Sequence, residues 1–251
     1  MFVVMGVLSF SDAKIEKCMY STTFDPQKME GKVVINFCTL PVEFIDDAIR
    51  ALEDAVYCGL SVAPYVKIVG EGELMEGQEV PKGYVGLVTV CSITICGVVL
   101  KRGIPVNPKF GGIVQVENGV PKRFTDIILY KSSTIDPLLA MLSQRLTSVD
   151  NVVKNNSGKI LANFHEVTMF ARSSLESILE ELVNIEFDGV LEVGEPNREI
   201  LDIAVEDGHV GFSLIGGTNP MAIMQERGIP IKCDAIAGMM EFSELVHIED
   251  V

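Results

Sequence analysis

Basic residues are scarce in this sequence: Lys and Arg number 20 against 35 Asp and Glu, a formal charge of −15 at pH 7. Such a chain repels a phosphate backbone unless it segregates a basic patch, which argues against charge-driven DNA binding of its own. The deficit is uneven. The first 125 residues hold 12 basic and 14 acidic side chains, and the remainder holds 8 and 21. The six cysteines (Cys18, Cys38, Cys58, Cys91, Cys96 and Cys233) form no CxxC pair or zinc-like spacing, so a reducing cytosol and a metal-free chain are expected. Long apolar runs are missing too. The longest, Ile93 to Leu100, is far below the roughly 18 to 20 residues of a membrane span, and MFVVMGVLSF lacks the basic start and cleavage site of a signal peptide. These absences point to a soluble cytoplasmic protein with no membrane partner. With 251 residues and 48% apolar content, the chain can build one large domain or two small ones without a disulfide or metal staple.

What the sequence does contain is an internal repeat. Gly31 to Phe37 (GKVVINF) returns as Gly158 to Phe164 (GKILANF), an offset of 127. Val69-Gly70-Glu71 returns as Val193-Gly194-Glu195, and Val85 to Val106 returns without a gap as Val210 to Ile231, at offsets of 124 and 125. Phe124 to Ile128 answers Phe242 to Val246 at an offset of 118, so the second copy is shorter near its end. Collinear matches at nearly one offset indicate a duplication, with a pseudo-twofold as its default geometry. Residues 1–133 read as the first copy, and 134–251 as a linking helix and the second copy.

Each copy reads as β-β-α-β-β-α-β, an α/β (α+β) fold with a mixed sheet covered by helices. Cys18 to Phe24 and Val149 to Val153 are the expected leading hairpin strands. Lys32 to Phe37 is a β-branched strand. Phe44 to Tyr57 carries an apolar stripe and closes at Gly59, an amphipathic helix whose counterpart is Ser173 to Val183. The strands Tyr84 to Val90 and His209 to Ile215 each run straight into a helix. Ser92 or Thr94 is expected to cap the first of these helices, and GGTNP the second. Asp136 and Pro137 start the linking helix.

The two strand-to-helix turns are the best candidate sites. A helix N-terminus offers unpaired N–H groups and a positive dipole end, so it can hold a carboxylate without basic side chains. Candidate effector contacts are therefore Cys91, Ser92 and Thr94 in the first turn and Gly216, Gly217, Thr218 and Asn219 in the second. Lys109, Gly111 and Gly112 are a third group, offering a cation and close backbone approach. The alternative is that the glycines only permit tight packing and the hydroxyls only cap. Neither GxxxxGK[ST] nor GxGxxG is present to support nucleotide binding. Cys91 as a nucleophile lacks a histidine at any recognisable spacing from His165, His209 or His247. Catalytic residues, a cofactor and a metal site are accordingly not expected.

The segments MYSTTFDP (Met19 to Pro26), GKVVINF, Val88 to Gly112, SGKILANF (Ser157 to Phe164), LEVGEPN (Leu191 to Asn197) and IGGTNPMAI (Ile215 to Ile223) run in order along the chain. Together they resemble the regulatory domain of the archaeal nitrogen-regulation repressors, the NrpR family. The resemblance implies a sensor in which 2-oxoglutarate releases a repressor from the operators of nitrogen-assimilation genes. It implies Cys91 as a position of the effector response, and a homo-oligomer, expected to be a dimer. Such repressors carry a winged helix-turn-helix ahead of the regulatory domain, whereas here the family-like region starts within about twenty residues of Met1. The expectation is therefore DNA contact only through a module or partner outside this chain. A small-molecule enzyme using Cys91, and an assembly domain without ligand, are the competing readings.

Overall fold

The computed structural model describes residues 10–251. In chain order the first copy contributes α1 (Ser11–Ser21), β1 (Lys32–Pro41), α2 (Ile45–Tyr57), β2 (Tyr65–Val69), the short β3 (Leu74–Met75) and β4 (Gln78–Glu79), β5 (Tyr84–Val90), α3 (Ile93–Lys101), β6 (Asn107–Glu117) and β7 (Val120–Leu129). Then come α4 (Pro137–Ser143), α5 (Val149–Asn155), β8 (Gly158–Thr168), α6 (Arg172–Val183), β9 (Val190–Val193), β10 (His209–Ile215), α7 (Asn219–Glu226), β11 (Lys232–Glu241) and β12 (Val246–His247). Among the described residues no helix is long and apolar enough to cross a membrane.

Among the described residues the strands form two five-stranded sheets, ordered β11-β1-β5-β2-β12 and β7-β6-β8-β10-β9, with β3-β4 a separate hairpin. Every pairing is antiparallel. The repeat is thus visible in three dimensions, but each copy's final two strands lie in the other copy's sheet, β6 and β7 with β8, β10 and β9, and β11 and β12 with β1, β5 and β2. β6 pairs with β8 of the second copy, from Asn107 opposite Glu166 to Val116 opposite Gly158. Its counterpart β11 pairs with β1 of the first copy, from Lys32 opposite Glu241 to Thr39 opposite Lys232.

The repeated motifs have a common physical cause. A Cβ on Gly86 would lie 2.6 Å from the Phe37 ring, and one on Gly211 2.7 Å from the Phe164 ring. In each sheet the aromatic of β1 or β8 lies over a glycine on the adjacent β5 or β10, and any side chain there would collide with it. Both rings are buried. α2 buries Ala48, Ala51, Leu52 and Ala55, and α6 buries Leu175, Ile178, Leu179 and Leu182, so each amphipathic helix meets the core as its stripe required. Gly59 follows α2 with φ +67°, the left-handed conformation a helix-ending glycine supplies.

The leading elements are helices, not hairpin strands. Cys18 belongs to α1, where Ser11, Ile15, Cys18 and Met19 are buried at spacings of one helical face, and Val149–Val153 lies in α5, which buries Val149 and Val152. The β-branched content of these short runs suggested strands, but packing of α1 on α3 and of α5 on α7 determines the outcome. The linking helix forms as expected. Asp136 accepts from the Leu139 amide at 2.9 Å, with Pro137 in the first turn.

Candidate functional site

The strand-to-helix turn of each copy is held by the same bonds at equivalent positions. The Cys91 amide donates to the Val34 carbonyl at 2.8 Å, and the Gly216 amide to the Leu161 carbonyl at 2.7 Å. Thr94 Oγ1 accepts from the Val34 amide at 2.9 Å and donates to its carbonyl at 3.2 Å. Asn219 does the same for Leu161, accepting at 2.8 Å through Oδ1 and donating at 2.9 Å through Nδ2. Thr94 and Asn219 are therefore clamps on β1 and β8. Neither Ser92 nor Thr94 makes a side-chain cap on α3, which begins at Ile93, and Thr218 makes none on α7. Tertiary bonds to the strands take the place of the local caps.

The two turns meet. A Cβ on Gly217 would lie 3.1 Å from Cys91 Cα, 3.2 Å from the Ser92 amide and 2.8 Å from Asn36 Nδ2, so only glycine lets the backbones approach this closely. Across the contact the copies exchange one bond each. Asn36 Nδ2 donates to the Gly217 carbonyl at 3.1 Å, and Asn163 Nδ2 donates to Ser92 Oγ at 2.8 Å. Asn36 and Asn163 are equivalent in GKVVINF and GKILANF, as Ser92 and Gly217 are in the turns, so a pseudo-twofold passes through this point.

On that axis lies a void of about 10 Å³, bordered by Asn36, Cys91, Ser92, Tyr130, Asp136, Asn163, Gly217 and Thr218. A void of that size holds about one water. Thr218 Oγ1 is buried there and has no hydrogen-bond partner among the described residues. The N-terminal ends of α3 and α7 both border the void, which gives it two positive dipole ends. Tyr130 donates to Asn163 Oδ1, and the Ile236 amide donates to Asn36 Oδ1 at 3.2 Å. Burial raises the pKa of Asp136, and burial pushes the Cys91 thiol up to about 12, so Cys91 is a neutral thiol at pH 7.

Of the residues singled out in the sequence, Cys91, Ser92, Gly217 and Thr218 border the void. Gly216 and Gly111 stand directly behind it. A Cβ on Gly216 would meet Leu161 and Leu138, and one on Gly111 would meet Leu138, Pro137 and the Tyr130 hydroxyl. Gly112 is placed elsewhere, against Asp126 and Phe124. Lys109 is elsewhere too, and its ammonium is already committed: it lies 3.2 Å from buried Glu166 and bonds to Glu206. Glu166, Glu206 and His209 are close enough to share a cation, and Lys109 supplies that charge. Asn36, Asn163, Tyr130 and Asp136 complete the site. The asparagines had a readable signal, one amide at the same place in two otherwise apolar strands.

The buried imidazole of His165 pairs with Cys96 and not with Cys91. His165 Nε2 contacts Cys96 Sγ at 3.6 Å, both residues are fully buried, and burial alone lowers His165 to about 3. A neutral thiol beside a neutral imidazole is not an activated pair.

Comparison with known proteins agrees with this architecture. The family model for NrpR regulatory domains NRD1 and 2 matches residues 8–247. The global nitrogen regulator NrpRI of Methanosarcina mazei is 33% identical over 239 residues, which cover 95% of this chain and 73% of the relative. The global nitrogen regulator NrpR of Methanococcus maripaludis is 30% identical over 250 residues, covering all of this chain but only 42% of the relative. The crystal structure of a nitrogen repressor-like protein from Methanococcus jannaschii superposes with a TM-score of 0.83 at 28% identity, over 96% of this chain and 100% of that one. The chain belongs to the family of NrpR regulatory domains, a family of archaeal nitrogen regulators and not of enzymes.

Proposed function

We propose that this chain is the effector-sensing part of a cytoplasmic repressor of nitrogen-assimilation genes, and that it responds to 2-oxoglutarate at the pseudo-twofold void. The observation that carries this reading is the convergence there of two helix N-termini, two inward-facing asparagines and the unpartnered Thr218 hydroxyl. A dicarboxylate with a keto group needs such donors, and the site provides them without basic side chains. Asp136 opposes an anion when charged, and the burial that raises its pKa lessens that opposition.

A void of about 10 Å³ is too small for a ten-atom ligand, so binding must separate its walls. Asn36 and Ile236 belong to one sheet, whereas Tyr130 and Asn163 lie on or beside the other. An effector bound between them favours a more open arrangement of the sheets and shifts the population toward it. In this proposal the chain assembles as a homodimer and contacts DNA only through a winged-helix module or a partner.

The test is calorimetry and thermal melting of the folded protein with 2-oxoglutarate. Saturable heat and a rise in Tm are expected, both weakened in Thr218→Val. No response at millimolar effector would overturn the reading. It would favour the second one, an assembly domain without ligand, which the small volume of the closed void supports.

A further inference from the structure

Two thiols face each other across the seam where the strands are exchanged. Cys38 on β1 and Cys233 on β11 are direct cross-strand partners, which puts their side chains on the same face of the sheet. Cys38 is fully buried, Cys233 is only partly so, and both are free. Directly opposed residues of an antiparallel pair have Cα atoms about 4.5 to 5.5 Å apart, within the roughly 4.4 to 6.8 Å that a disulfide spans. The equivalent positions of the other seam carry Pro108 opposite His165, so the pair belongs to one seam alone.

From this juxtaposition we propose that Cys38 and Cys233 are a reversible dithiol/disulfide site that staples β11 to β1 and stiffens one wall of the central void. The connection to the void is short. Two residues before Cys38, Asn36 accepts from Ile236, three residues after Cys233, and Asn36, Ala235 and Ile236 all border the void.

The oxidant is a low-molecular-weight disulfide. Cys233, the more exposed of the two, must first lose a proton that Cys38 and burial help it to keep, so the exchange is slow at neutral pH; its thiolate then attacks a sulfur of that disulfide and expels one small thiolate. Cys38 loses its proton and attacks Cys233 Sγ, expelling the second. One S–S bond in the protein replaces one in the oxidant, which leaves as two thiols, and excess thiol reverses both steps. The closed loop is long, so the bond restricts the unfolded chain strongly.

The test uses the whole chain equilibrated with glutathione and glutathione disulfide at increasing oxidation, then alkylated, digested and weighed. A Cys38–Cys233 linked peptide is expected, absent in Cys38→Ser and in Cys233→Ser, with a rise in Tm of about 5 to 10 °C in the oxidised protein. Glutathione adducts alone, or linkage through exposed Cys58 in place of this pair, would overturn the assignment. The effect on the void rests on the reading under Proposed function, and calorimetry with 2-oxoglutarate on both redox forms separates the two. Weaker binding in the oxidised form supports the staple as a regulator, and equal binding in both forms overturns that role. Binding in neither form counts against the effector site, while the linked peptide still decides the disulfide.

Discussion

Arg102 and Arg227 stand at the same position of the two copies, at the ends of α3 and α7, and each reaches into the other copy: Arg102 Nη2 lies 2.8 Å from Glu181 on α6, and Arg227 Nη2 lies 2.7 Å from Asp54 on α2. The two acids are themselves equivalent, so a pair of symmetric ion bridges flanks the axis. Arg227 adds a bond from Nε to Asp150 at 2.8 Å and is the less exposed arginine, 24% against 37%. Surface pairs contribute little, and solvent screens these too. Arg227→Ala should therefore destabilise by about 1 kcal/mol and Arg102→Ala by only a few tenths. Urea melts at low and high salt check this, since added salt should narrow the difference.

Gly217→Val tests the contact between the turns. Its Cβ would fall 2.8 Å from Asn36 Nδ2 and 3.1 Å from Cys91 Cα, with backbone on one side and a bonded amide on the other. Overpacking at such a point costs about 1 to 3 kcal/mol or prevents folding. A variant with unchanged Tm would contradict the described approach of the turns.

Phe37→Ala and Phe164→Ala should behave as a matched pair. Each ring covers a glycine in its own sheet, and its loss leaves a cavity whose cost is about 3 to 5 kcal/mol. Denaturant melts that differ by more than about 2 kcal/mol between the two would mean that the copies are not energetically equivalent here.

His165 gives stability a pH dependence with a definite sign. Burial lowers its pKa from 6.5 to about 3, so the folded protein refuses a proton that the unfolded chain accepts. Its contribution is complete above pH 6.5 and is lost as pH falls toward 3, by about 1.4 kcal/mol per pH unit within that window. His165→Leu should flatten the stability profile between pH 6.5 and 4. An equally steep profile in the variant would assign the acid sensitivity to other groups.

Much of this was legible in the sequence because a duplication writes each message twice. The return of GKVVINF as GKILANF located β1 and β8, and the strand-to-helix turns were recognisable from the helices that follow them and, in the second copy, from Gly216 and Gly217. Other features left weaker traces. Short runs such as VDNVV have no periodicity long enough to separate strand from helix, and contacts with α7 settle it as α5. The cap roles given to Ser92 and Thr94 followed local rules, but their hydroxyls bond to Asn163 and Val34, residues about sixty to seventy positions away. Lys109 shows the same limit. A lysine beside two glycines suggested an anion site, and only the fold reveals Glu166 and Glu206 around it.

The exchange of β6 and β11 also constrains how such a chain could arise. A single ancestral unit that sends its final strands into a neighbour cannot complete its own sheet, and two identical units can complete each other. The ancestor implied by this topology is a homodimer with swapped terminal strands, whose subunits later became joined end to end through the segment that now carries α4. In such a lineage the central void began as the contact between two subunits. Fusion then freed each side to diverge, which is how one seam came to hold a pair of cysteines and the other a proline and a histidine.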